Sequence, residues 1–208
     1  MKKIGSGWQY HVYKISETRV RKVELTPMER FIKVMIQSLG NIREVTAIRE
    51  RLVASLGILE RVINERSRVQ ELIGSITFPQ GTVIEQDYAI PLGAYFKNHS
   101  FEENCRMIDG YIELIQGLWR FGIADRVFSV TINTGVSNGR VILLDIGELT
   151  DSQESVAHAI ATKRWEHAMD YWLGFLFRPK LRRYYRDQMN RSLTTENLDN
   201  LWNMQNVH

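Results

Sequence analysis

The spacing of hydrophobic positions changes along the chain and predicts strands first and helices afterwards. Apolar and polar residues alternate from Val12 onward, with a second strand predicted over Thr18–Leu25. Residues 27–72 then carry apolar positions every three or four residues, interrupted at Gly40 and Asn41, which predicts two helices, the second long. Helical spacing returns over residues 107–122 and 165–189. The pattern therefore indicates an α+β chain with a strand-rich beginning and a mainly helical second half.

One segment near the middle, Val136–Thr150, predicts a β-hairpin. Asn138 and Gly139 readily adopt the positive φ angles of a two-residue type I′ turn, and the flanking residues are β-branched or apolar. If these two residues form the loop, Ser137 pairs with Arg140. The alternative interpretation is an ordinary hairpin with a polar residue at each end.

The register of this hairpin predicts a pair of metal-binding oxygens. Counting outward from the turn sets Asn133 opposite Leu144, next to Asp145. An amide oxygen and a carboxylate are hard ligands that suit Mg²⁺, an ion that also holds nucleotide phosphates. We therefore expect a magnesium site at Asn133 and Asp145.

The N-terminal segment predicts a glycine-rich turn between strands. Gly5, Gly7 and Val12 match the pattern G-x-G-x-x-G-x-V, whereas Tyr10 stands where a third glycine would be. Glycines allow backbone N–H groups to approach phosphate oxygens closely. We expect Tyr10 to narrow this turn or cover it.

The order of these motifs resembles the protein-kinase-like superfamily, with Asp145-Ile146-Gly147 in place of the D-F-G motif. More narrowly, residues 4–150 are similar to small bacterial kinase-like proteins of the PhoP-network regulatory protein YrbL family. The resemblance implies a two-lobed fold with residues 1–91 as a small β-rich lobe with a long helix. Residues 92–208 would form a mainly helical lobe that contains the hairpin, and both lobes belong to one domain. It also implies that ATP and Mg²⁺ bind.

The resemblance gives roles to one lysine and one glutamate. Lys22, on the same strand face as Val20, would contact the phosphates, and a glutamate of the following helices would pair with it. Glu44 is our choice, with Glu50 and Glu60 as alternatives. A solvated strand lysine and a charged helix surface are the simpler interpretations of these residues.

Two further positions follow from the same resemblance. Residues 87–90 would cross between the lobes and supply backbone groups to adenine. The catalytic base would come from residues 122–133, but no acid stands at the kinase interval before Asn133. Asp125 is close enough to reach an acceptor hydroxyl if the loop is rearranged. Alternatively, Asp125 pairs with Arg126 or caps the preceding helix.

Composition supports one compact unit. With 208 residues, 44% of them hydrophobic, the chain can bury a proper core, whereas two independent domains would each be small. The sequence shows no apolar run typical of a signal peptide or a membrane span, so we expect a cytoplasmic protein without a membrane partner. The single Cys105 excludes an internal disulfide.

The net charge of +3 is unevenly distributed. Basic residues crowd the stretch from Arg178 to Arg191, with Tyr184 and Tyr185 among them, which is one way to hold a nucleic-acid backbone and stack on bases. A solvated basic face with buried tyrosines is the other interpretation.

Three functions follow from the sequence. The first is an ATP-dependent phosphotransferase that acts on a protein or small-molecule acceptor, with Lys22 and Asp125 as catalytic residues. The second is a pseudokinase that binds nucleotide to regulate a partner. The third is a basic nucleic-acid-binding module.

Overall fold

A mixed α and β fold is seen in the computed structural model, which describes residues 1–7, 9–37, 42–167, 171 and 174–203. The side chains of residues 34–37, 42–46 and 203 lie outside that description. Gly40 and Asn41, the predicted helix break, also lie outside it. The sequence-based expectation of strands followed by helices is confirmed at this level.

The first half of the chain forms a five-stranded antiparallel sheet with the strand order β1-β2-β3-β5-β4. The predicted strand over Thr18–Leu25 is confirmed as β3, and Val20 and Lys22 on it are both buried. The strands are β1 (Lys2–Ser6), β2 (Tyr10–Lys14), β3 (Arg19–Glu24), β4 (Thr77–Gln80) and β5 (Val83–Asp87).

Helices fill the connection between β3 and β4. The two helices predicted from the apolar spacing are confirmed, because α1 spans Pro27–Gln37 and α2 spans Ile42–Glu65. A short helix, α3 (Gln70–Ile73), leads back to the sheet. Leu52 and Leu59 of α2 are almost fully buried, so α2 contributes one face to the hydrophobic core.

The five-stranded sheet ends where residues 87–90 begin. The strand β5 ends at Asp87, and Tyr88 N donates to Thr18 O at 2.7 Å, which extends the pairing with the segment before β3 by one residue. Ile90 and Pro91 form a separate two-residue strand, β6, beside the hairpin. The chain therefore passes from the sheet to the hairpin within these few residues.

The predicted hairpin is confirmed in its register and in its turn. The strands β8 (Thr134–Ser137) and β9 (Arg140–Leu143) pair antiparallel, with Ser137 opposite Arg140. Asn138 and Gly139 have φ angles of 49° and 76°, as a type I′ turn requires.

The second half of the chain is mainly helical and packs around α5 (Phe101–Arg120). A capping box between Ser100 and Glu103 begins α5, and Gly122, with a φ angle of 70°, follows its end. Pro179 begins a helix at its first position, where its missing N–H costs nothing. The other helices are α4 (Leu92–Asn98), α6 (Gln153–Ala161), α7 (Arg164–His167), α8 (Pro179–Ser192) and α9 (Thr195–Asn203).

A two-stranded ladder connects the segment after α5 to the segment after the hairpin. In it, β7 (Ala124–Asp125) pairs with β10 (Leu149–Thr150). Asp125 is therefore fixed opposite Leu149, close to the end of the hairpin. Within the described part of the chain, every helix is too short or too polar to cross a lipid bilayer.

Candidate functional site

A cavity of about 410 Å³ lies between the five-stranded sheet and the end of the hairpin. Its apolar lining includes Val12 and Val20 from the sheet and Leu144 from the chain just after β9. Lys22, Asp87 and Asp145 line the same cavity, and Asp87 is paired with Arg19. The cavity thus combines an apolar surface with one lysine and two carboxylates.

The glycine-rich turn forms part of this lining. Gly5 and Gly7 both line the cavity, and Gly7 N donates to Tyr10 O at 2.9 Å. Neither glycine has a positive φ angle, and a Cβ built on Gly7 would meet nothing within 4 Å. The fold itself therefore does not require glycine at residue 7, but the missing side chain leaves the space over the turn free.

Tyr10 lines the cavity but does not cover the turn, so that one of the two expectations for this side chain is wrong. Its side chain is 6% exposed and packs in the hydrophobic core. Its hydroxyl has no hydrogen-bond partner among the described residues. Burial, followed by the nearby charges of Glu24 and Asp145, raises the pKa of the hydroxyl well above its ordinary value.

Lys22 is a buried lysine rather than a solvated one. The side chain is 8% exposed, and Nζ donates a hydrogen bond to the carbonyl oxygen of Leu144. Burial lowers the pKa of the ammonium to about 8, and the charge of Asp145 opposes that shift. A buried cation beside a cavity is suited to an anionic ligand, which would restore the electrostatic stabilisation lost on burial.

The predicted partner of Lys22 on the helices is not among its described contacts. Glu44 belongs to α2, but its side chain lies outside the described residues, and the alternatives Glu50 and Glu60 are exposed. The helix instead contributes Arg51, whose Nε lies 3.3 Å from Oε1 of Glu148, three residues after Asp145. Sequence reasoning missed this ion pair because it looked for an acid on the helix, not a base.

Asn133 and Asp145 lie side by side, as the hairpin register predicts. Asn133 O accepts hydrogen bonds from Leu144 N at 2.6 Å and from Asp145 N at 3.2 Å. Asp145 Oδ1 accepts a hydrogen bond from Gly147 N at 3.0 Å, which fixes the carboxylate at the turn. No group of three or more His, Cys, Asp or Glu side chains in the described ranges could hold a metal by itself. A magnesium ion here would depend on oxygens of a bound ligand to complete its coordination.

Asp125 is not among the residues that line the cavity. Its side chain is 5% exposed and accepts hydrogen bonds from Val127 N at 2.9 Å and from Asn133 Nδ2 at 3.2 Å. Burial raises the pKa of the carboxyl to about 7, and the two hydrogen bonds oppose that shift. α5 ends at Arg120 and Asp125 belongs to β7, so the alternative that Asp125 caps the helix is wrong. Its carboxylate is instead held by Val127 N and by Asn133 Nδ2.

Two glutamines that the sequence analysis did not single out also line the cavity. Gln9 is 5% exposed, and a Cβ built on Gly147 would lie 1.8 Å from Gln9 Oε1. Gln86 is fully buried in β5, on the same strand face as Ile84. A polar residue at an apolar position of an alternating strand is the signal that could have identified Gln86.

The basic stretch from Arg178 to Arg191 lies on α8, away from this cavity. Tyr185 is fully buried, and the hydroxyl of the half-buried Tyr184 donates to the carboxylate of Asp109 at 2.8 Å. The tyrosines are thus engaged within the protein, which agrees with a basic helix face. Lys180 and Arg183 line a second, open cavity of about 720 Å³ on this face.

Comparison with known proteins adds no relative. No protein-family model matches the chain, and no curated protein sequence matches it significantly. The functional interpretation therefore depends on the residues of the site.

Proposed function

We propose that this chain has a protein-kinase-like two-lobed fold and acts as a Mg-ATP-dependent phosphotransferase. Residues 1–91 would form the small lobe and residues 92–208 the large one. The order of the elements supports this proposal: a glycine-rich turn in an antiparallel sheet, a long helix, a crossing at residues 87–90, a core helix and a hairpin that Asp145 follows. The resemblance to small bacterial kinase-like proteins rests on the same order.

The observation that carries the proposal is that Lys22 and Asp145 line one cavity, whose remaining surface is largely apolar. An ATP molecule needs such a combination, because its base is flat and weakly polar whereas its phosphates are anionic and metal-bound. The cavity volume, the buried ammonium and the open glycine-rich turn all suit that ligand.

Each site residue has a role in this proposal. Lys22 Nζ would contact the phosphates, Asp145 and Asn133 would supply oxygens to Mg²⁺, and Gly5 and Gly7 would let the turn approach the phosphates. Backbone groups of residues 87–90 would contact the base. Bound Mg-ATP supplies the phosphoryl group and the metal charge that neutralises it.

Asp125 would accept the proton of the acceptor hydroxyl. A carboxyl with a pKa near 7 is suited to accepting a proton at neutral pH. Asn133 holds this carboxylate through Nδ2, so the same amide would link the proton acceptor to the metal site. For transfer, an acceptor hydroxyl would have to reach a carboxylate that is now almost fully buried.

That burial favours a second candidate, a pseudokinase that binds nucleotide to regulate a partner. In this case Asp125 would be a structural residue that fixes the loop through Val127 and Asn133. Nucleotide binding would need only Lys22, Asn133 and Asp145.

A radiolabelled ATP assay, run with the protein alone and with cell extract, distinguishes the two candidates. Label transferred to the protein, to another protein or to a small molecule supports the phosphotransferase. Saturable Mg-ATP binding without any transfer supports the regulator, and the absence of nucleotide binding would contradict both.

A further inference from the structure

Two neighbouring cavities lie on the surface formed by α8 and the beginning of α5. The larger has a volume of about 720 Å³ and the smaller one a volume of about 370 Å³. Phe101, Pro179 and Lys180 line both cavities, so these side chains form the border between them. The α8 face is the surface around these two cavities. None of the residues that line it also lines the cavity with Lys22 and Asp145.

Positive charge is in excess on the α8 face. Lys180 and Arg183 are exposed, and neither forms an ion pair with an acid among the described residues. Asp187 is the one acid in the described lining of the two cavities, and its Oδ1 lies 3.4 Å from Nη2 of Arg186. The charges of Lys180 and Arg183 are therefore not balanced by an ion pair in the described part of the chain.

Large apolar side chains lie on the same face. Phe177 is 90% exposed and Phe101 is 44% exposed, and both line the smaller cavity. Leu176, next to Phe177 in the chain, is 56% exposed. Single exposed apolar residues are ordinary on a protein surface, but two phenyl rings in one cavity offer a place where an apolar side chain of a partner can be buried. The α8 face thus combines cationic groups with an apolar surface.

We infer that the α8 face docks an acidic segment of a partner protein. Carboxylates of the segment pair with Lys180 and Arg183, and one of its apolar side chains packs against Phe101 and Phe177 in the smaller cavity. Protein interfaces commonly combine a buried aromatic anchor with complementary charges. The inference does not depend on the proposed function, because it concerns a different surface of the molecule.

The α8 face fits a short acidic peptide better than a nucleic-acid strand. Glu102 and Glu103 directly follow Phe101 in the first turn of α5, and Glu102 is exposed. Each nucleotide carries a phosphate, so a strand that continues past Phe101 would bring phosphates close to these carboxylates. Tyr185 on α8 is fully buried and cannot stack on a base.

The shape of the face also favours a peptide over a lipid bilayer. Basic residues beside exposed apolar ones occur on helices that bind anionic membranes. A bilayer surface is flat on the scale of a helix, however, and would leave both cavities unfilled. Side chains of a peptide can enter cavities of this size.

The test is a fluorescence-polarisation titration with a short fluorescein-labelled synthetic peptide in which a single phenylalanine lies between glutamates. A second peptide carries glutamine in place of each glutamate. The wild-type protein should bind the glutamate peptide at least about tenfold more tightly, because the glutamine peptide lacks the charge-assisted contacts with Lys180 and Arg183. Equal affinities for the two peptides, or no binding of the glutamate peptide, would overturn the inference.

Matched variants assign the binding to this face. The double variant Lys180→Glu/Arg183→Glu should bind the glutamate peptide at least about tenfold more weakly. Its control is Lys2→Glu/Lys3→Glu, which changes the net charge equally on exposed residues of β1 and should leave the affinity nearly unchanged. Equal losses in the two double variants would show a general effect of net charge and overturn the inference. Phe177→Ser removes an exposed ring and should weaken binding about 3- to 10-fold, and an unchanged affinity would overturn the role of this ring.

Two further ligands test the other occupants of the face. If a fluorescein-labelled single-stranded oligouridylate binds more tightly than the glutamate peptide, and Lys180→Glu/Arg183→Glu abolishes that binding, the face is a nucleic-acid site. If the protein sediments with anionic phospholipid vesicles and Phe177→Ser abolishes the sedimentation, the face binds membranes. Either result would overturn the inference, whereas weak or absent binding of both ligands supports it.

Discussion

Two carboxylates close to Asn133, those of Asp145 and Asp125, differ in their surroundings. Asp145 lines the cavity next to Lys22, whereas Asp125 lies behind Asn133 with its oxygens bonded to Val127 N and Asn133 Nδ2. Both belong to the same small region and are connected through one asparagine. Nevertheless, one faces the proposed ligand and the other faces the protein.

Because of this difference, nucleotide binding and phosphoryl transfer would depend on different carboxylates. Lys22, Asp145 and the glycine-rich turn already line one cavity, but Asp125, which would accept a proton, is buried and has a pKa raised to about 7. Because metal and positioning carry most of phosphoryl transfer, binding and slow turnover can coexist with a displaced acid. Substitutions that affect only one of the two carboxylates therefore test the comparison directly.

The largest effect is expected for Asp125→Asn. If Asp125 is the base, turnover should fall about 10²- to 10⁴-fold while the affinity for Mg-ATP stays nearly unchanged. Steady-state kinetics with radiolabelled ATP measures turnover, and calorimetry measures affinity. Asp151→Asn is a matched control, since Asp151 is an exposed acid paired with Arg61. Phosphotransfer that persists in Asp125→Asn with altered unfolding stability would assign Asp125 a structural role.

The next effect concerns Asp145→Asn and the metal. Saturating Mg-ATP should stabilise the wild-type protein by about 2.7 kcal/mol at a hundredfold excess over the dissociation constant. The Asp145→Asn variant should lose most of this stabilisation, because an amide is a poorer magnesium ligand than a carboxylate. Thermal unfolding with and without Mg-ATP measures the difference. An equal shift in both proteins would show that the metal assignment is wrong.

A smaller effect is expected for Lys22→Ala. A hydrogen bond to a charged group contributes about 1.5–3 kcal/mol, so the nucleotide affinity should fall roughly 10- to 100-fold. The cost in stability should be small, since the variant also removes a buried cation. Lys14→Ala is the control, because Lys14 lies on the neighbouring strand and pairs with Glu17. Equal losses in the two variants would indicate a diffuse effect of basic charge.

The smallest expected effect is a dependence of affinity on pH. Burial lowers the pKa of Lys22 to about 8, so the ammonium loses its proton as the pH rises through that value. If only the charged form holds phosphate, the affinity should fall about tenfold between pH 7 and pH 9. Titration calorimetry over this range measures the effect. In Lys22→Arg, whose guanidinium stays charged, the affinity should be independent of pH, and a similar slope would exclude Lys22 as its source.

The sequence predicted the parts of the site that depend on local chemistry. The Asn138-Gly139 turn fixes its own register, and that register brings Asn133 beside Asp145. The alternation in β3 likewise places Lys22 with Val20 on a buried face.

Local sequence patterns did not predict the contacts between segments that are far apart in the chain. Nothing local to Arg51 indicates Glu148, because that pair forms only when α2 packs on β10. The burial of Asp125 similarly depends on its pairing with Leu149. Residues far apart in sequence meet according to the packing of whole elements, and a short motif does not contain that information.

The close approach of Gln9 to Gly147 ties together two positions that are far apart in the chain. Gly147 offers no side chain, and the carboxamide of Gln9 occupies the space that a methyl group there would need. An alanine at residue 147 would therefore require the end of the Gln9 side chain to take another conformation. The size of residue 147 thus limits the conformations open to a side chain in the opening turn of the protein.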